Sequence, residues 1–124
     1  MILDEIAAKT RERVALNASL HPAEELKQRA YSMECNTGFP FEKALKKDGM
    51  SFICEVKKAS PSKGIIAEDF PYMQIAGEYE KAGAAAISCL TEPYYFKGSD
   101  DYLKEIAAHV QIPVLRKDFT VDEY

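Results

Sequence analysis

The stretch of residues 52–64 joins a strand-like half to a polar turn: Phe52-Ile53-Cys54-Glu55-Val56-Lys57-Lys58-Ala59-Ser60-Pro61-Ser62-Lys63-Gly64. Its first half alternates like a half-buried β-strand, which places Glu55 and Lys57 on the same face. Its second half contains a hydroxyl-rich turn around Pro61, and the turn ends the strand because proline has no backbone N–H to donate. A strand that ends in charged residues and opens into a polar loop is typical of the functional sites of α/β proteins.

The rest of the chain alternates between strand-like and helix-like segments. Apolar runs predict three strands, at about residues 52–57, 85–90 and 112–117. Helical spacing of apolar residues predicts helices over residues 2–18, 22–33, 41–47, 70–81 and 99–109. Asp69 and Ser99 are the predicted N-caps of the last two helices, and Gly83 is a predicted helix stop. A further helix is expected to begin at Val121.

This order of segments predicts an α/β fold. A helical extension over residues 1–50 precedes a β-α-β-α-β pattern over residues 51–124, and such alternation implies parallel strands. A (β/α)8 TIM barrel needs about 250 residues, so the chain has room for only its first three βα units. The alternative is a small open sheet whose edge strands are unpaired.

Composition and charge exclude several classes of protein. The chain has 124 residues, of which 47% are hydrophobic, and its net charge of −4 disfavours nucleic-acid binding. No apolar run approaches the roughly 20 residues of a membrane span, and the N-terminus does not resemble a signal peptide, so a cytoplasmic location is expected. Three cysteines without C-x-x-C spacing predict neither a disulfide framework nor a zinc site. Cys54 and Cys89 are interpreted as small buried hydrophobic residues.

The candidate functional residues follow the three predicted strands. In a parallel sheet, Lys57 and Lys117 would be near neighbours at the carboxyl edge, where they would bind an anionic small molecule. We expect Lys117 to donate a proton to a carbonyl group and Lys57 to hold an anion. The alternative interpretations are solvated surface charges, and a local ion pair between Glu55 and Lys57.

Other catalytic designs lack support in the sequence. His21 and His109 lie in or beside predicted helices, away from the strand ends, which disfavours a serine nucleophile. Neither a G-x-G-x-x-G motif nor a P-loop is present. The aromatic side chains of Phe96 and Phe119, near the strand ends, are either packing residues or walls of a ligand site.

Three ordered motifs resemble those of indole-3-glycerol-phosphate synthases. Residues 55–64 resemble the first barrel strand and loop of that family, residues 90–99 its second, and residues 112–119 its third. The helical preface is similar to the extension that these enzymes carry before the barrel. The resemblance spans essentially the whole chain but only about the first half of the family's length.

The resemblance implies a lyase of tryptophan biosynthesis. Its substrate would be an anionic sugar phosphate, 1-(2-carboxyphenylamino)-1-deoxyribulose 5-phosphate, converted by ring closure, decarboxylation and loss of water without a metal or organic cofactor. Lys117 would be the general acid, Lys57 would bind substrate anions, and Glu55 would orient Lys57 or contact the substrate. The substrate-binding residues would be Ser60, Phe96 and Phe119.

The resemblance also implies that residues 1–124 are incomplete as an enzyme. The family's general-base glutamate and the later phosphate-binding loops would lie beyond Tyr124. We therefore expect the chain alone to be inactive, and to associate with itself or with a second half-barrel. Three alternatives stay open: a non-enzymatic half-barrel interaction module, an inactive truncation product, and another phosphate-binding barrel enzyme, such as a phosphoribosyl isomerase.

Overall fold

The computed structural model of the chain describes residues 1–124. Its helices are α1 (Ile2–Leu20), α2 (Ala23–Ser32), α3 (Pro40–Leu45), α4 (Tyr72–Lys81) and α5 (Asp100–His109). Its strands are β1 (Ile53–Val56), β2 (Ala59–Ser60), β3 (Gly64–Ile65), β4 (Ala86–Leu90) and β5 (Val114–Lys117). None of the helices combines the length and the apolar character that crossing a membrane requires.

The chain divides into two compact units. The larger unit is Phe39–Asp118, and the smaller one consists of Met1–Gly38 together with Phe119–Tyr124. All five strands lie in the larger unit, whereas the smaller unit contains α1 and α2. The assignment of residues 1–50 to an extension and of residues 51–124 to a barrel stays a prediction.

The larger unit is built on a parallel three-stranded sheet, which confirms the predicted α/β class. The strand order is β1-β4-β5, so β4 is central. The register pairs Glu55 with Ser88, and it pairs Leu90 with Lys117. The carboxyl ends of all three strands therefore lie at one edge of the sheet.

Helices α4 and α5 pack against one face of this sheet. Val56, Ile87 and Cys89 form a buried cluster with Ala76 of α4 and Ile106 of α5, and each is at most 2% exposed. Burial of the valine and isoleucine side chains contributes roughly 1.5–3 kcal/mol each to folding before the conformational entropy cost. Because side chains alternate along a strand, Glu55 and Lys117 belong to the opposite face.

The helix boundaries show which capping signals were decisive. Gly83 follows α4 with φ of +96°, and the amides of Gly83 and Ala84 donate to carbonyls of the last turn, which confirms the predicted stop. Ser99 accepts a hydrogen bond from the Asp101 amide and caps α5 as predicted. The prediction of Asp69 as an N-cap was wrong. Helix α4 begins at Tyr72, because Pro71 has a fixed φ and occupies the preceding position without any side-chain cap.

The polar loop after β1 is more ordered than the sequence predicted. Strands β2 and β3 pair antiparallel, Ala59 with Ile65 and Ser60 with Gly64, and form a short hairpin. Pro61 lies within its turn, and Gly64 has φ of +63°, a conformation that glycine adopts without a steric penalty. The predicted turn is therefore the tip of a hairpin.

The smaller unit consists of α1, α2 and the last six residues. The Tyr124 hydroxyl donates a 2.7 Å hydrogen bond to the carbonyl of His21, the residue that follows α1. The predicted helix beginning at Val121 is wrong. The Asp122 carboxylate accepts the Tyr124 amide at 2.8 Å, and this local turn takes the place of a helical hydrogen bond.

Candidate functional site

The candidate site lies where β1, β4 and β5 end. We call the four polar residues on the sheet face away from α4 and α5 the strand-end face: Glu55, Lys57, Ser88 and Lys117. Lys57 follows β1 directly, and Lys117 is the last residue of β5. Because β4 separates the two strands, the Cα atoms of the two lysines are about 10 Å apart, or two strand spacings.

Glu55 connects two members of the strand-end face. Its Oε1 lies 3.4 Å from the Lys57 ammonium nitrogen, and its Oε2 accepts a 3.1 Å hydrogen bond from the Ser88 hydroxyl. Ser88 is 5% exposed, whereas the side chains of Glu55 and Lys57 are about one-third exposed. One carboxylate is therefore anchored on the central strand and holds the lysine in a position that a ligand can reach.

The main chain fixes the position of Lys117. The Thr91 amide, at the end of β4, donates a 3.0 Å hydrogen bond to the Lys117 carbonyl. Next to Lys117, Arg116 donates from Nε to the Thr91 hydroxyl at 3.2 Å, and its Nη2 lies 3.0 Å from Asp100. The Thr91 hydroxyl in turn donates to Asp118 at 2.7 Å. These contacts tie the end of β5 to β4 and to the start of α5.

Two predicted binding residues follow β1 and β4: Ser60 lies in the hairpin strand β2, and Phe96 lies in the loop after β4. Ser60 is 8% exposed, and its hydroxyl accepts the Lys63 amide at 3.2 Å, which stabilises the hairpin turn. Phe96 is half-buried in the loop between β4 and α5, and its amide donates to the Glu92 carboxylate at 2.9 Å. The third predicted residue, Phe119, is half-buried and belongs to the smaller unit.

Sequence reasoning missed two contributors to this site. Ser88 is a polar residue within an otherwise apolar strand, and that signal was available, but its contact with Glu55 depends on the register between β1 and β4. Glu92 lies within the family-like motif at residues 90–99 and was given no role, yet it is 1% exposed and accepts backbone hydrogen bonds from its own loop. No group of three or more His, Cys, Asp or Glu side chains is arranged to bind a metal ion.

A sequence profile of the family described as "Indole-3-glycerol phosphate synthase" matches residues 3–124. The chain belongs to this family. The resemblance of its three strand-end motifs is thereby confirmed.

Relatives that carry the same name are similar along the whole chain. The indole-3-glycerol phosphate synthase of Ruminiclostridium cellulolyticum is 55% identical over 124 residues, which are 100% of this chain and 48% of the relative. Those of Endomicrobium trichonymphae and Lacticaseibacillus paracasei are 56% and 52% identical, again over 100% of this chain and 48% of each relative. The chain spans about half the length of the relatives it matches.

Proposed function

We propose that residues 1–124 supply the first three βα units of a (β/α)8 barrel with indole-3-glycerol-phosphate synthase activity. The observation that carries the proposal is the strand-end face, where Lys57 directly follows β1 and Lys117 ends β5, the two strands that flank β4. The carboxyl edge of a parallel sheet is where barrel enzymes place their active sites. The parallel sheet, the preceding helices and the family membership support the barrel architecture.

The proposed substrate is 1-(2-carboxyphenylamino)-1-deoxyribulose 5-phosphate, an anionic sugar phosphate. The ring carbon that bears its carboxylate attacks the ribulose carbonyl carbon, and Lys117 protonates the carbonyl oxygen as the new C–C bond forms. Cleavage of the carboxylate releases carbon dioxide and returns its electron pair to the ring. The hydroxyl group formed from the carbonyl then leaves as water together with a proton, and the adjacent methylene carbon loses a proton, which completes the indole double bond. No cofactor takes part in the proposed sequence.

The other side chains bind and orient the substrate. Lys57, held 3.4 Å from Glu55, attracts a substrate anion. Its positive charge also stabilises the negative charge that develops on the carbonyl oxygen as Lys117 donates its proton. Ser60 offers a hydroxyl group at the hairpin, and Phe96 contributes an aromatic wall for the substrate ring. Phe119, in the smaller unit, stays a predicted substrate-binding residue. The remaining groups, including the general base, come from the half of the family's length that this chain does not span. The cytoplasmic location stays a prediction.

The test uses a fusion protein. It joins residues 1–124 to the second half of the Ruminiclostridium cellulolyticum enzyme, beyond the 48% that matches this chain. We expect the fusion protein to form indole-3-glycerol phosphate, and we expect residues 1–124 produced alone to form none. A fusion protein that unfolds cooperatively yet forms no product would contradict the proposal and favour a non-enzymatic half-barrel module. Product formation by residues 1–124 alone would refute the predicted need for a second half.

A further inference from the structure

The loop between β4 and α5 begins at the centre of the candidate site. Since β4 lies between β1 and β5, this loop leaves the sheet between the ends that carry Lys57 and Lys117. The loop contains Phe96, a proposed wall for the substrate ring. The conformation of the loop therefore determines the position of the Phe96 ring.

One buried carboxylate organises the loop. The Glu92 side chain accepts backbone hydrogen bonds from three consecutive residues: Tyr94 at 2.8 Å, Tyr95 at 2.7 Å and Phe96 at 2.9 Å. The residue is 1% exposed, so these amides take the place of the water that would otherwise solvate the charge. Hydrogen bonds from amides to an ionised carboxylate are roughly twice as strong as neutral ones.

The far side of the loop is packed against the strand that it leaves. The Gly98 amide donates a 2.8 Å hydrogen bond to the Glu92 carbonyl, and Lys97 adopts a left-handed conformation with φ of +52°. A Cβ atom at Gly98 would lie 2.3 Å from the carbonyl oxygen of Leu90, so only glycine allows this approach. Residues 92–98 thus form a closed loop around the Glu92 carboxylate.

We propose that Glu92 is a positioning residue for the substrate ring. Its carboxylate gathers the three amides and so holds Phe96 in one place at the carboxyl edge of the sheet. Glu92 acts through the loop and not on the reacting atoms. This inference rests on the proposed function, because Phe96 matters only where a ring binds beside Lys117.

Glu92→Gln is the variant that tests this role. A glutamine has one acceptor oxygen, and its NH2 group would face N–H donors that it cannot satisfy. In the 124-residue chain, we expect hydrogen exchange at the amides of Tyr95 and Phe96 to become faster by about tenfold or more, which matches the loss of charge-assisted hydrogen bonds. In the fusion protein, we expect KM to rise by about tenfold while kcat changes only a few-fold. Glu92→Asp keeps the charge and should recover part of both effects.

Glu80→Gln provides a matched control. Glu80 also accepts two backbone hydrogen bonds, from Gln111 at 2.6 Å and from Ile112 at 3.0 Å. These two donors precede β5, so they lie at the amino ends of the strands, away from the candidate site. Its substitution should lower stability and leave KM unchanged. Unchanged exchange at Phe96 in Glu92→Gln, or a KM no higher than that of Glu80→Gln, would overturn the proposal.

The two readouts separate this inference from the proposed function. Hydrogen exchange reports on the loop without any turnover, whereas an inactive parent fusion protein would count against the proposed function itself. If exchange accelerates and KM rises together, Glu92 positions the loop for the substrate. If exchange accelerates while KM stays at the parent value, Glu92 has only a structural role and the inference fails.

Discussion

At the scale of single residues, Glu55 shows how a structural contact and a functional one are told apart. Its partner Lys57 is about one-third exposed, and ion pairs in such positions contribute only about 0–1 kcal/mol to stability. The small contribution of the Glu55–Lys57 pair to folding stability therefore does not explain why two charged residues share a strand face. We propose instead that Glu55 holds Lys57 where a substrate anion can bind.

Glu55→Gln should separate these contributions. The amide retains the shape and an acceptor for Ser88 but removes the charge that attracts Lys57. We expect the free energy of unfolding of the 124-residue chain to change by less than about 1 kcal/mol, while kcat/KM of the fusion protein falls by at least about tenfold. Urea unfolding and a steady-state assay measure the two quantities. A stability loss of several kcal/mol with normal activity would assign the pair to folding.

Cys89 illustrates the effect of burial on a thiol. It is fully buried beside the core aliphatic residues, and burial raises its pKa to about 11 from an ordinary 9.0. The unfolded chain loses this proton above about pH 9 whereas the folded chain keeps it until about pH 11. Unfolding therefore releases a proton in that window, and stability falls as pH rises through it.

A thiol reagent at pH 8 should distinguish the cysteines accordingly. The exposed Cys35 should react at once, because the reagent can reach its thiol. Cys89 should react only when denaturant unfolds the larger unit, and a Cys89→Ala variant identifies its signal. Fast labelling of Cys89 in the native chain would contradict its burial.

At the scale of elements, the close approach of the β4–α5 loop to β4 predicts that a larger side chain at Gly98 lowers the free energy of unfolding. Gly98→Ala introduces a Cβ against the backbone of Leu90 and Thr91, and overpacking of this kind costs about 1–3 kcal/mol or more. Gly77→Ala, within α4, is the control: the atom nearest to its Cβ would be Nε2 of His109 on α5, at 3.6 Å, so this variant should raise stability by about 0.5–1 kcal/mol. Urea titrations followed by circular dichroism compare them. Equal stability of the two variants would contradict the described loop.

The elements also show what a sequence can and cannot predict. Glu55 and Lys57 could be assigned to one face because the period of a strand is fixed by its own backbone. The contact between Glu55 and Ser88 depends on pairing between strands 33 residues apart, which local pattern does not contain. The two-residue strands β2 and β3 are too short for any periodicity to be detected.

The loop that Glu92 organises was beyond prediction for a related reason. The loop includes Lys97 in a left-handed conformation, and lysine gives no local signal for that conformation. By contrast, the cap at Ser99 and the stop at Gly83 were predictable, because side-chain capping and glycine at a positive φ are local effects. Pro71 overrode the capping signal of Asp69.

At the scale of the whole molecule, the sheet of the larger unit has open edges at β1 and β5. Ile53 is 46% exposed and Leu115 is 41% exposed, and both lie on the sheet face away from α4 and α5. Unpaired strands and exposed aliphatic side chains favour association with another chain. We therefore predict that residues 1–124, produced alone, associate with a second copy or with a second half-barrel.

Sedimentation over a range of concentrations measures this association. We expect the average mass to rise with concentration, and we expect Leu115→Lys to shift the equilibrium toward the monomer, because a charge in the contact must be desolvated. Lys104, exposed on α5, is the site for a control substitution, Lys104→Ala, that should have no effect. A monodisperse monomer at high concentration would contradict the prediction.

Lys117 is the proposed proton donor in ring closure. The kcat of the Lys117→Met fusion protein measures this role. Loss of a general acid lowers kcat by roughly 10²–10⁴-fold, while KM should stay within a few-fold because methionine preserves the length of the side chain. Lys104→Met should retain the parent activity. We predict that kcat of Lys117→Met falls by at least about 100-fold, and near-normal turnover would contradict the account.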